Sequence, residues 1–168
     1  MNRSIESVLR FVNLTASGLL AGSLGFGEQA LVPGWRHELP SQRDRLHHRL
    51  QALKNVDYFN AIGPLALGTA VTLAVAARDT RPIKRVLDAA SAVGLAGVLA
   101  ATIMVTVPIN KQLEQQPPAD YPSDRSQSLA RNWSRAHAVR TTLGISAFVF
   151  AVASSVAPHV GVRASRPR

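Results

Sequence analysis

The chain contains no cysteine, which excludes disulfide staples, thiolate metal sites, iron–sulfur clusters and a cysteine nucleophile. Charge is scarce as well. Only 17% of the 168 residues are charged, and acidic residues are the fewer, 10 against 19 basic. Aromatic residues make up 5%, and no basic stretch is interleaved with them as a nucleic-acid platform requires. The net charge of +9 therefore does not argue for nucleic acid as a partner. There is no P-loop, GxGxxG, GxSxG or HExxH, so nucleotide-dependent chemistry and standard hydrolysis have no support.

What the sequence does have is apolar residues in blocks. They form 46% of the chain, and a mean hydropathy of +0.07 hides how they cluster. Helices are predicted at about 8–32, 59–77, 86–109 and 136–158, each near the roughly 20 residues that cross about 30 Å of hydrocarbon. Period-2 alternation is absent and the blocks are too long for barrel strands. The reading is an all-α integral membrane four-helix bundle over residues 1–160, with a basic disordered tail at 161–168. The first block is read as a span, because a signal-peptide core is shorter and three spans follow. Arg78-Asp79-Thr80-Arg81-Pro82 makes a short charged turn, and the Pro-rich segment 115–122 breaks the third connection. Residues 33–58 form a long first loop, with an amphipathic stretch at 43–53 that would lie at the interface.

Basic residues orient such a bundle. The N-terminus, the 78–85 turn and the tail share nine of them, and the two long loops carry nine. The first set is the denser, so positive-inside reasoning puts both termini in the cytoplasm, most simply at the plasma membrane, with lipid as the first partner. Small residues must let the helices approach, and Gly18, Gly22, Gly25, Gly63, Gly68, Gly94 and Gly97 are the expected contact points, within one bundle rather than between copies. The sequence leaves the oligomeric state open.

Polar side chains are costly in lipid and mark function. Glu28 and Gln29 close the first block, Asp57, Tyr58 and Asn60 open the second, Asn110 follows Pro108 at the end of the third, and Trp133, His137 and Arg140 open the fourth. Alternating helix direction gathers all four ends on one side. The opposite end offers mainly Asn13 and Asp88. Trp133, His137 and Arg140 stand at i, i+4 and i+7, hence on one helical stripe. An indole, an imidazole that can take a proton and a guanidinium that can hold an oxyanion would suit a flat, acidic aromatic molecule. Plainer roles compete: Trp133 as an interfacial anchor, Arg140 snorkelling to headgroups, Asn110 as a cap, Glu28 paired with a loop arginine. His37, His47 and His48 match no familiar metal spacing, and no metal is expected.

Val107-Pro108-Ile109-Asn110-Lys111-Gln112-Leu113, followed by Asn132-Trp133-Ser134-Arg135-Ala136-His137-Ala138-Val139-Arg140-Thr141, resembles the signature of the anthrone oxygenase-like family. That pattern is Pro-x-Asn late in the third helix and Trp-x-x-x-His-x-x-Arg entering the fourth. The glycine-rich Gly18-Leu19-Leu20-Ala21-Gly22, ending at Glu28 and Pro33, also fits. The resemblance implies a small four-span membrane protein and a possible oxidation of anthrones to anthraquinones with dioxygen, without an established cofactor. It implies His137, Arg140 and Asn110 as catalytic residues, and Trp133, Glu28, Tyr58 and Asn60 around a small aromatic substrate. A non-catalytic accessory or scaffold subunit is the alternative, and its polar residues would satisfy one another. A transporter ranks last, since four short spans without a repeat give little to alternate around.

Overall fold

The computed structural model describes residues 2–33, 55–76, 82–115 and 124–157. The amphipathic stretch, His37, His47, His48, His159 and the tail lie outside these residues. Among the described residues there is helix and no strand. α1 spans Arg3–Phe26, α2 Asn55–Ala76, α3 Pro82–Ala101, α4 Val107–Glu114 and α5 Asp124–Val156. α1 runs on through a π-helical turn, Gly27–Leu31, and a second such turn, Thr102–Thr106, joins α3 to α4 in one rod. Four rods result, and α1 packs on α2 and α5 while α3 packs on the same two, closing a ring.

The helices reach beyond the apolar blocks because their ends are well formed in polar sequence. Asn2 Oδ1 caps α1 by accepting from the Ser4 N–H at 3.0 Å, and Glu6 complements the positive helix end. α5 begins twelve residues ahead of the predicted start at 136. His137 and Arg140 consequently lie in the wall of the bundle rather than at its tip.

Among the described residues, four helices are long and apolar enough to cross a membrane: Arg3–Ala30, Tyr58–Ala76, Pro82–Gln112 and Gln127–Val156. Their outward faces carry large apolar side chains, Phe11 (71% exposed), Val93 (72%) and Met104 (75%) among them. The buried set includes Asn13, Ser17, Thr69, Asp88, Ser91, His137 and Arg140. Apolar outside and polar inside is the distribution that lipid imposes. The molecule is an integral membrane four-helix bundle.

Its core is built of small side chains: Ala16, Ala66, Ala70, Ala92 and Ala147 around Leu20, Leu24, Leu95 and Val98. Gly94 lets α3 approach α5 closely, for a Cβ there would lie 3.0 Å from that of Ala147 and 3.2 Å from the Leu143 carbonyl. Gly18 and Gly97 meet Phe148 and Leu143 as small-residue contacts do, and Gly144, absent from the expected set, meets Leu24. Gly22, Gly25, Gly63 and Gly68 correct the expectation. Added side chains there would meet nothing within 4 Å among the described residues.

The end opposite the proposed site holds more than Asn13 and Asp88. Arg10 reaches across from α1 as a fork onto Asp88 of α3, both bonds 3.2 Å, donates to Ser154 of α5 at 3.0 Å, and pairs through Nε with Glu6 at 2.9 Å. One guanidinium thus ties three helices together. One layer further in, Thr69 of α2 donates to Asn13 Oδ1 at 3.2 Å. Arg10, one of the N-terminal basic residues counted for orientation, is the hub of an interior network.

Candidate functional site

The site lies roughly 20 Å along α1 from Arg10, given a 1.5 Å rise per residue. Its backbone frame is the pair of π-helical turns. Each precedes a Val-Pro step, Val32-Pro33 and Val107-Pro108. A proline within a helix lacks an N–H and crowds the carbonyl four residues back, and a widened turn ahead of it relieves that crowding. In both turns the valine N–H bonds five residues back, Val32 to Gly27 and Val107 to Thr102. Such turns turn carbonyls and side chains away from the regular ladder and recur at functional sites.

α5 places its polar stripe against both turns. His137 is 6% exposed, and its Nε2 lies 3.2 Å from the Leu24 carbonyl, which also accepts from Thr141 Oγ1 at 3.3 Å. A carbonyl only accepts, so Nε2 carries the hydrogen. In the neutral ring the lone pair is then on Nδ1, which is buried and has no partner among the described residues. Arg140, 7% exposed, donates to Thr106 Oγ1 at 3.1 Å, and Thr106 lies against the Ala101 carbonyl across the second π-helical turn at 3.4 Å. The Arg140 Nε has no partner among the described residues. No carboxylate among the described residues is found paired with Arg140, whose one described hydrogen bond goes to Thr106. Trp133 stacks on His137, centroids 4.9 Å apart and planes 4° apart, and donates its indole N–H to Asn110 Oδ1 at 3.1 Å.

The structure therefore brings Asn110, Trp133 and His137 into one contact chain, with Arg140 one turn further along α5. Glu28 sits on the first π-helical turn beside Gly27, and its Oε2 is buried with no partner. Pairing of Glu28 with an arginine is absent among the described residues. Tyr58 and Asn60 do not join the group. The inward stripe of α2 runs through Phe59, Ile62, Ala66, Thr69, Ala70 and Leu73, and residues 58 and 60 fall off it. Asn60 is exposed. Tyr58 instead meets α1, accepting from Ser23 Oγ at 3.0 Å and donating to the Leu19 carbonyl at 3.3 Å.

Sequence reasoning missed Thr106, Thr141, Gly27 and the Leu24 carbonyl. Thr141 stands four residues after His137 and Thr106 four before Asn110, so a polar stripe was readable for both. Nothing local marks a backbone carbonyl as an acceptor. Gly27 is required by close approach: a Cβ there would lie 2.8 Å from His137 Nε2 and 2.9 Å from Cε1. Gly27→Ala should push the imidazole off the Leu24 carbonyl and, for a site whose geometry sets its rate, lower turnover about 10²-fold. Gly22→Ala, with nothing within 4 Å, is the matched control and should leave it unchanged.

The fold and this buried polar group define a class, four-span membrane bundles with an interior histidine–arginine site. The family model for anthrone oxygenase matches residues 55–150, more than half of the chain, and the chain belongs to that family. The match covers Thr106, Asn110, Trp133, His137 and Arg140. No curated protein matches the chain, and no solved structure does.

Proposed function

We propose that the protein is a membrane-embedded oxidoreductase that uses dioxygen, without a cofactor, to oxidise a small apolar aromatic of the anthrone type. What supports this reading above all is that His137 Nδ1 and Arg140 Nε are buried, without partners among the described residues, and one helical turn apart on α5. A base and an N–H donor left over after packing are what an acidic C–H conjugated with an aromatic ketone requires.

The ring carbon opposite an anthrone carbonyl is acidic because its anion delocalises over three rings. His137 Nδ1 takes the first proton. Arg140 Nε and the Asn110 amide donate to the carbonyl oxygen as charge arrives there. The carbanion adds dioxygen, forming a C–O bond, and the proton returns from His137 to the terminal peroxide oxygen. Loss of the second C–H proton with O–O cleavage gives the new carbonyl and one water. One dioxygen is consumed, one of its atoms entering the quinone. Glu28 Oε2 offers a polar contact to a substrate hydroxyl. Apolar anthrones and dioxygen both partition into lipid, which gives a membrane location a reason. The proposed setting is the plasma membrane with both termini cytoplasmic, which the dense basic turn at 78–85 supports.

A structural reading has its own support. His137 and Thr141 share the Leu24 carbonyl and Arg140 bonds Thr106, so the same residues tie α5 to the last turn of α1 and to the second π-helical turn. Oxygen uptake by membranes carrying the protein, over a panel of anthrones and hydroquinones, separates the two. The oxidoreductase reading expects uptake with at least one substrate well above membranes without the protein. Uptake at background level with every substrate would favour the accessory or scaffold role.

A further inference from the structure

We propose that Trp133 is a positioning residue, one that sets the amide of Asn110 and the ring plane of His137, rather than a platform on which the substrate stacks. The inference rests on the proposed oxidation and assigns its indole a different task from the one expected of it.

The chemistry of the contact carries the argument. An indole N–H donates and cannot accept. The group facing it from Asn110 at 3.1 Å must therefore be the carbonyl oxygen, which settles which way the amide is turned. With Oδ1 held by the indole, the Asn110 NH₂ points along the other branch of the amide, and no described residue accepts from it. Those N–H groups are then available to an oxyanion. Without the indole the amide could rotate by half a turn and present its oxygen, which would repel the same charge.

The stacked face does the second part. The imidazole lies parallel to the indole at 4.9 Å while its Nε2 is held by the Leu24 carbonyl at 3.2 Å. A ring fixed at one edge by a hydrogen bond and over one face by an aromatic plane has little freedom left, so the direction of Nδ1 is set. One face of Trp133 is covered by His137 and is closed to a flat substrate. One residue thus aims both the base and an oxyanion donor, although it touches neither the proton nor the charge.

The test pairs kinetics with a measurement that needs no turnover. Trp133→Phe keeps an aromatic face over His137 and removes only the N–H. Positioning predicts a fall in kcat of about 10²-fold at nearly constant KM, as for a misaimed reacting group. It also predicts that Trp133→Phe/Asn110→Ala is no slower than Asn110→Ala alone, because the indole acts through the amide. A stacking platform predicts the opposite for Trp133→Phe, with kcat kept and KM raised, and that result would overturn the proposal while leaving the oxidation intact. The second measurement is the indole N–H spectrum of nitrogen-15-labelled protein in micelles. Of the two indole signals, the one lost in Trp133→Phe belongs to Trp133. It should lie at a hydrogen-bonded shift and move in Asn110→Ala. A signal that stays in place in Asn110→Ala overturns the positioning role, whether or not wild-type membranes oxidise anything.

Discussion

His137→Gln should leave a folded protein that no longer turns over. Glutamine places an amide N–H near the position of Nε2, so the bond to the Leu24 carbonyl has a replacement donor, and Thr141 still serves the same oxygen. What glutamine lacks is a basic lone pair where Nδ1 stood. General-base catalysis of a C–H ionisation is worth about 10²–10⁴-fold, and the loss should fall on kcat. His137→Ala removes the donor too and adds a cost of about 1–3 kcal/mol for a disturbed buried hydrogen bond. The pair thus separates chemistry from structure, as steady-state rates and thermal unfolding in micelles would reveal. Equal loss of stability in both, with turnover retained in His137→Gln, would mark His137 as a tie between helices and nothing more.

Asp88→Ala should damage the bundle from its other end. Asp88 is 2% exposed and receives both terminal nitrogens of Arg10. Its removal leaves a guanidinium in the interior with only Glu6 and Ser154 for partners. Breaking one side of a buried ion pair costs about 3–5 kcal/mol, and the unfolding midpoint in micelles should fall accordingly. The pair itself need not be a net stabiliser. Replacing both members, as Arg10→Met with Asp88→Leu, removes the stranded charge and should recover most of the loss. A double variant as unstable as Asp88→Ala would show that packing, not charge, is what α3 loses. The site at the far end should keep its chemistry in the double variant, because α5 meets both π-helical turns without help from Arg10.

The parts of this molecule differ in how far local pattern foretells them. Span number followed from block length, since nothing but helix satisfies a backbone over that distance in lipid. The Trp133, His137, Arg140 stripe was visible because i, i+4, i+7 spacing survives folding unchanged. Asn110 was visible through Pro108, but its partner was not, because the indole that holds it lies 23 residues away. The Arg10–Asp88 pair joins residues 78 apart, and Asp88 within an apolar block was the sole local hint that a counter-charge had to exist. The π-helical turns were hidden for a different reason. They shift the face presented by everything beyond them, so a strict 3.6 period read through Thr102–Thr106 assigns the wrong neighbours. Tyr58 and Asn60 failed for want of a phase. Their distance from the helix end was right, but the inward stripe of α2 passes between them.

The most direct test of the account follows the oxygen atoms. Membranes carrying the wild-type protein are supplied with an anthrone under ¹⁸O₂, and the quinone is analysed by mass. One ¹⁸O atom in the new carbonyl, formed well above the rate of membranes without the protein and lost in His137→Gln, is the predicted result. A carbonyl oxygen drawn from water, or label entering at the same rate in His137→Gln, would contradict it.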